Sequence, residues 1–81
     1  MRYRITNGRS FLTGFFPNGG WSIRGVFAFS NRSWLIFDNE TEVQEHLTYI
    51  IRACLEQKGR WGDWTDVALK FAKKLRYEEV G

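Results

Sequence analysis

The chain opens with Tyr3-Arg4-Ile5-Thr6-Asn7-Gly8-Arg9-Ser10-Phe11-Leu12, and the Asn-Gly pair at its centre decides how the first half is read. Asn-Gly is the strongest short hairpin signal, because a type I′ turn needs positive φ at both central positions. A two-residue loop sets Thr6 opposite Arg9, Ile5 opposite Ser10, Arg4 opposite Phe11 and Tyr3 opposite Leu12. Tyr3 and Ile5 then share one face of the first strand, and Arg2 and Arg4 the other.

Working outward, Pro17-Asn18-Gly19-Gly20 breaks the chain. Trp21 to Phe29 reads as a third strand, with Trp21, Ile23, Phe27 and Phe29 on one side and Ser22, Arg24, Val26 and Ala28 on the other. Trp34-Leu35-Ile36-Phe37 has the large apolar residues of a short buried strand. If the turn at Ser30-Asn31-Arg32-Ser33 closes on two residues, Phe29 faces Trp34 and Phe27 faces Ile36. The reverse face then carries Val26, Ala28, Leu35 and Phe37, apolar as well. Cover on both sides is expected there, and Leu35 and Phe37 become candidates for protein contact or a homodimer seam.

The second half is helical in pattern. Asn39 or Thr41 caps a first helix, each with Glu42 or Gln44 three residues on as a capping box. Val43, Leu47, Ile50, Ile51, Cys54 and Leu55 recur at helical spacing, and Gly59 supplies the stop. Asp63 caps a second helix with the stripe Trp64, Val67, Ala68, Phe71, Ala72 and Leu75. The expected class is α+β. An antiparallel β-meander of three to four strands (about residues 2–6, 9–16, 21–30 and 34–37) precedes two α-helices (about 40–58 and 64–77).

Eighty-one residues form one domain, near the lower size limit for a self-sufficient core. An aromatic content of 17% offsets part of that weakness. The single cysteine, Cys54, excludes an internal disulfide, and with one histidine, His46, it leaves no zinc site. No apolar run is long enough to span a bilayer, and no charged-then-apolar leader precedes the domain. A cytoplasmic protein with no membrane partner is expected.

The net charge of +3 is unevenly spread. Residues 1–37 hold Arg2, Arg4, Arg9, Arg24 and Arg32 and no acid, whereas residues 38–56 hold Asp38, Glu40, Glu42, Glu45 and Glu56 against Arg52 alone. Such a basic sheet half either solvates a strand face or attracts phosphate or an acidic protein surface.

Few residues carry chemistry. Cys54 falls on the buried stripe, about two turns from His46, so the two do not form a nucleophile–base pair. The carboxylates between Asp38 and Glu45 complement the dipole of a helix start. No glycine-rich phosphate loop is present. No enzyme, cofactor or metal is expected.

Two binding readings remain. Arg2, Arg4 and Arg24, with Phe11 among them, form a basic and aromatic sheet face of the kind single-strand nucleic-acid readers use. In Lys58-Gly59-Arg60-Trp61-Gly62-Asp63-Trp64 the glycines and Asp63 are explained by chain geometry and Trp64 by its apolar stripe. Arg60 and Trp61 are left, Trp61 either plugging the space between helices and sheet or stacking on a partner.

The stretches MRYRITNGRSFLTGFF and WLIFDNETEVQEHL resemble small orphan proteins encoded by phages and prophages, over roughly residues 1–55. The resemblance implies a non-enzymatic protein of the host-takeover or anti-CRISPR type, acting in the host cytoplasm by stoichiometric contact with a host or phage protein. The basic balance departs from the acidic DNA mimics among them. An RNA- or DNA-binding accessory protein is the alternative.

Overall fold

The structure, a computed structural model, describes residues 1–20 and 22–81. It has the α+β architecture: a four-stranded antiparallel sheet backed on one face by helices. The elements run β1 (Arg2–Thr6), β2 (Phe11–Phe15), α1 (Ile23–Val26), β3 (Phe27–Ser30), α2 (Glu40–Glu56), α3 (Lys58–Trp61), α4 (Trp64–Lys73) and β4 (Arg76–Val80). The sheet order is β3-β2-β1-β4.

The first turn differs from the two-residue loop its Asn-Gly pair suggests. Thr6 pairs with Phe11, so four residues make the connection. Asn7 does not take positive φ, and only Gly8 does, at +96°. Asn7 Oδ1 instead accepts from the backbone N–H groups of Arg9 and Ser10, both at 2.9 Å. Thr6 Oγ1 accepts from Gly8 N and donates to Ser10 O. These local bonds outcompete the mirror-image turn. The register moves by two residues, an even number, so the side chains of β1 and of β2 as far as Leu12 keep their faces. Ile5 and Leu12 are fully buried.

The predicted third strand begins with a helical turn. Ser22 Oγ accepts from Gly25 N at 3.1 Å, and α1 ends where Phe27 N–H donates to Ile23 O. Trp21, which the sequence assigns to this strand, lies outside the described residues. The turn fits because the backbones of Gly19 and Gly25 touch; a Cβ on Gly25 would come within 2.6 Å of Gly19 O. β3 then pairs with β2, with a bulge between Leu12 and Gly14. The extra residue turns Phe15 to the helix side along with Leu12, and Phe15 packs edge-on against Tyr49 of α2.

Residues 34–37 do not return alongside β3. Phe37 exchanges both backbone hydrogen bonds with Tyr3, and Leu35 N donates to Leu12 O at 3.0 Å. The segment is a wedge between β1 and β2, whose direct pairing is confined to Thr6 and Phe11. This crossover reverses the faces expected for it. Leu35 and Phe37 are half-buried and pack against the core, while Ile36 is 43% exposed and Trp34 lies against Phe11.

The helices follow their stripes except at Leu55 and Val67, which are exposed. Asn39 Oδ1 accepts from Glu42 N at 2.9 Å, and Glu42 Oε2 accepts from Asp38 N. Val43, Ile50 and Cys54 are fully buried. The helix stops at Glu56, however, and Gly59 lies inside the short α3. Gly62, at φ +58°, makes the break. Asp63 is in a helical conformation and makes no cap bond, contrary to its expected role. The second helix also ends early. Residues 76–80 become β4, paired with β1 from Arg2–Val80 to Thr6–Arg76, where the sequence pattern extends a helix to Tyr77. Tyr77 still reaches α2: its hydroxyl donates to Glu40 Oε2 and accepts from Gln44 Nε2.

The core lies between the sheet and the α2–α4 layer. Phe27 packs at a tilt, and Phe29 edge-on, against Phe71 of α4. No described helix is long and apolar enough to cross a membrane.

Candidate functional site

Tyr77 points to α2, and Ile5 pairs with it, so Arg2 and Arg4 must emerge on the opposite face of the sheet. Among the described residues no helix lies over that face. Its centre is Arg4, whose guanidinium carbon lies 3.6 Å from the Phe11 ring centroid and 4.7 Å from that of Trp34. The two rings lean on each other at 4.8 Å and 58°. Arg4 Nε donates to Glu78 Oε1 at 2.9 Å across the β1–β4 pair. Cation–π stacking and a charge-assisted bond thus hold one long side chain in one geometry.

Around this centre the surface is mixed. Arg2 and Ile36 meet Met1 and Val80 in a shallow groove beside the chain ends. Arg76 pairs with Thr6 on the same strand face. The structure therefore brings together Arg2, Arg4 and Phe11. It adds Trp34, Ile36, Arg76 and Glu78, none of which the sequence reading selected. Trp34 and Ile36 carry the signal for it, since they alternate with Leu35 and Phe37; pairing with β1 and β2 in place of β3 exchanges the two faces. Glu78 has no local signal, because its role comes from a partner 74 residues away.

Arg24 is placed elsewhere. It stands on α1 and borders a groove along β3 with Ile23, Phe27, Phe29 and Phe71. Arg60 ties α3 to the loop after β2, donating to Asn18 Oδ1, Asn18 O and Pro17 O at 3.2–3.5 Å. Trp61 is 4% exposed, part of the core, and packs edge-on against Trp64 at 4.8 Å. Of its two readings, the geometry is that of a plug.

Of the reactive side chains one is buried and the other half-buried. Cys54 is fully buried, and burial pushes its thiol up to about 11, far from a nucleophile at neutral pH. His46 lies against Phe37 and Tyr49, and desolvation lowers its pKa. Among the described residues no three His, Cys, Asp or Glu side chains are grouped to hold a metal.

Comparison with family models, with curated proteins and with solved structures finds no match.

Proposed function

We propose that the protein is a small non-enzymatic binding module, of the phage-encoded type its sequence resembles, that makes stoichiometric contact with a host or phage protein. The observation that carries this reading is the uncovered sheet face with Arg4 stacked on Phe11 and Trp34 at its centre. Arginine and tryptophan dominate the energetic centres of protein interfaces. An arginine already fixed by stacking and by Glu78 loses little further freedom on binding. The surrounding Arg2, Ile36, Met1 and Val80 supply the mixed rim.

Nucleic-acid binding is the alternative, favoured by Arg2, Arg4 and Arg76 on a strand face that also carries Phe11 and Trp34. It gains less from the geometry. A base stacking on Phe11 must displace Arg4 from its ring, and Glu78 already offsets one cation.

The test compares the protein with an Arg2→Glu/Ile36→Asp variant, two exposed changes that leave the Arg4 cluster in place. Capture from a bacterial host lysate followed by native mass spectrometry is expected to show a one-to-one complex with the parent and none with the variant, at equal unfolding midpoints. A complex that survives in the variant refutes the assignment of the face. Salt-sensitive filter binding to oligonucleotides, lost in the same variant, would promote the alternative.

A further inference from the structure

The sheet has a second unsatisfied feature, independent of its uncovered face. β3 is a terminal strand in the order β3-β2-β1-β4, and among the described residues no strand pairs with its outer side. The hydrogen bonds at its start fix which groups point there. Val26 O accepts from Phe16 N on the β2 side at 2.7 Å, whereas Phe27 N–H turns away to Ile23 O. Antiparallel strands alternate their bonding direction residue by residue. Phe27 C=O and both polar groups of Phe29 therefore face the free edge.

Beside that edge runs a groove floored by Phe27, Ala28 and Phe29, walled by Phe71 and closed at one end by Ile23 and Arg24. Its other end is the β1–β2 turn, at Asn7 and Ser10, with Arg9 between them in sequence. Arg32 follows β3 by two residues, and no acid occurs anywhere in residues 1–37. Of the cations, Arg24 lines the groove itself. An open row of backbone donors and acceptors, an apolar trough beneath it and Arg24 at its end, within a stretch of chain that holds arginines and no acid, define one kind of occupant.

We infer that the free edge of β3 is a strand-addition site for an extended acidic segment of a partner protein, which adds an antiparallel strand beside Phe27–Ser30. Main-chain bonds to Phe27 and Phe29 supply affinity. Alternate apolar side chains of the segment enter the trough against Phe29 and Phe71, and its carboxylates meet Arg24 and the neighbouring cations. Four residues of edge span about 13 Å, which sets a footprint of four to six partner residues.

The probe is a blocked hexapeptide alternating valine and glutamate, titrated against the intact protein with amide hydrogen exchange followed residue by residue. Binding is expected with slowed exchange at the Phe29 amide. A peptide N-methylated at one of the alternate residues whose N–H faces the edge is expected to bind roughly tenfold more weakly or worse, having lost a backbone donor. Arg24→Glu, an exposed change, is expected to weaken the glutamate peptide and to favour its lysine counterpart, with the circular dichroism spectrum unchanged. Four results overturn the inference: no binding at millimolar peptide, equal affinity of the N-methylated analogue, tighter occupation of the same edge by a single-stranded oligonucleotide, or protection of Phe29 by self-association without peptide. Because Arg2→Glu/Ile36→Asp leaves this edge intact, failure here and failure of the face proposal are read separately.

Discussion

Tyr3 and Phe37 exchange both backbone hydrogen bonds, each 2.9 Å long. This single bridge converts an apparent fourth strand into a wedge that splays β1 from β2. It also decides which of four consecutive apolar residues face solvent. With Leu35 and Phe37 turned to the core, the homodimer seam expected from the sequence loses the residues on which it rested.

The wedge makes neighbouring substitutions behave differently. Leu35→Ala removes a half-buried side chain that packs on the core and is expected to destabilise by about 2 kcal/mol, at the low end for leucine truncations. Ile36→Ser alters an exposed position and should fall within about 0.5 kcal/mol of the parent. Urea unfolding of both variants checks the order. A reversed order would return the segment to a hairpin with β3.

Arg4 is expected to stabilise more through its stack than through its ion pair. The Arg4 and Glu78 side chains are 21% and 44% exposed, so solvent screens their charges and a double-mutant cycle should give a coupling below about 1 kcal/mol. Arg4→Ala also uncovers Phe11 and Trp34, and should lose about 1–2 kcal/mol in total. Arg4→Lys keeps the charge but not the planar guanidinium, and is expected to restore only part of that loss.

Helix starts offer a sharper contrast. Asn39→Ala removes the bond to Glu42 N and should cost about 1 kcal/mol. Asp63→Ala removes no cap bond and should stay within about 0.5 kcal/mol, although the sequence marks Asp63 as the better-defined cap of its helix. Equal losses in the two variants would mean that Asp63 caps α4 after all.

These cases show which parts of the fold are legible in the chain. α2 could be read from Asn39, Glu42 and the stripe from Val43 to Cys54, because cap and periodicity are local, although the last expected member, Leu55, is exposed. The faces of β1, and of β2 as far as Leu12, survived an incorrect turn because the register error was even, whereas the bulge after Leu12 turned Phe15 over. β4 could not be read: the expected helix runs on to Tyr77, Arg76-Tyr77-Glu78-Glu79-Val80 has no clean alternation of its own, and its strand conformation comes from pairing with the start of the chain. The wedge failed for the same reason, since its partner Tyr3 lies far away in sequence. α1 was hidden because Ile23 to Phe29 alternates like a strand, and only the close Gly19–Gly25 approach selects a helical turn. The contact face inherits this division. Arg2, Arg4 and Phe11 were visible, whereas Trp34, Ile36, Arg76 and Glu78 required the tertiary pairing.

Trp61 distinguishes packing from contact. At 4% exposure against Trp64, Trp61→Ala should lose about 3–5 kcal/mol, as aromatic truncations in cores do. In a domain of this size such a loss threatens folding, so Trp61→Phe serves as the milder variant, with a smaller but measurable drop in unfolding midpoint. A stable Trp61→Ala protein would restore the residue to the list of contact candidates.

His46 sets an acid limit on stability. Burial against Phe37 and Tyr49 leaves Nε2 without a hydrogen-bond partner, and the resulting desolvation lowers the pKa below its ordinary value. The unfolded chain then binds a proton at higher pH than the native one. Native stability is therefore complete above the unfolded value of about 6.5 and declines as pH falls through that value toward the lower native one. Glu42 and Glu45 border the same surface hollow, and their charges would work in the opposite direction if they reached the imidazolium. The comparison that isolates the effect is the parent against His46→Phe, unfolded at about pH 7.5 and about pH 5.5. Carboxylate contributions are shared by both proteins, so the parent is expected to lose more stability than the variant between the two values. A parent that gains relative to His46→Phe on acidification would mean that the carboxylates, not burial, govern this histidine.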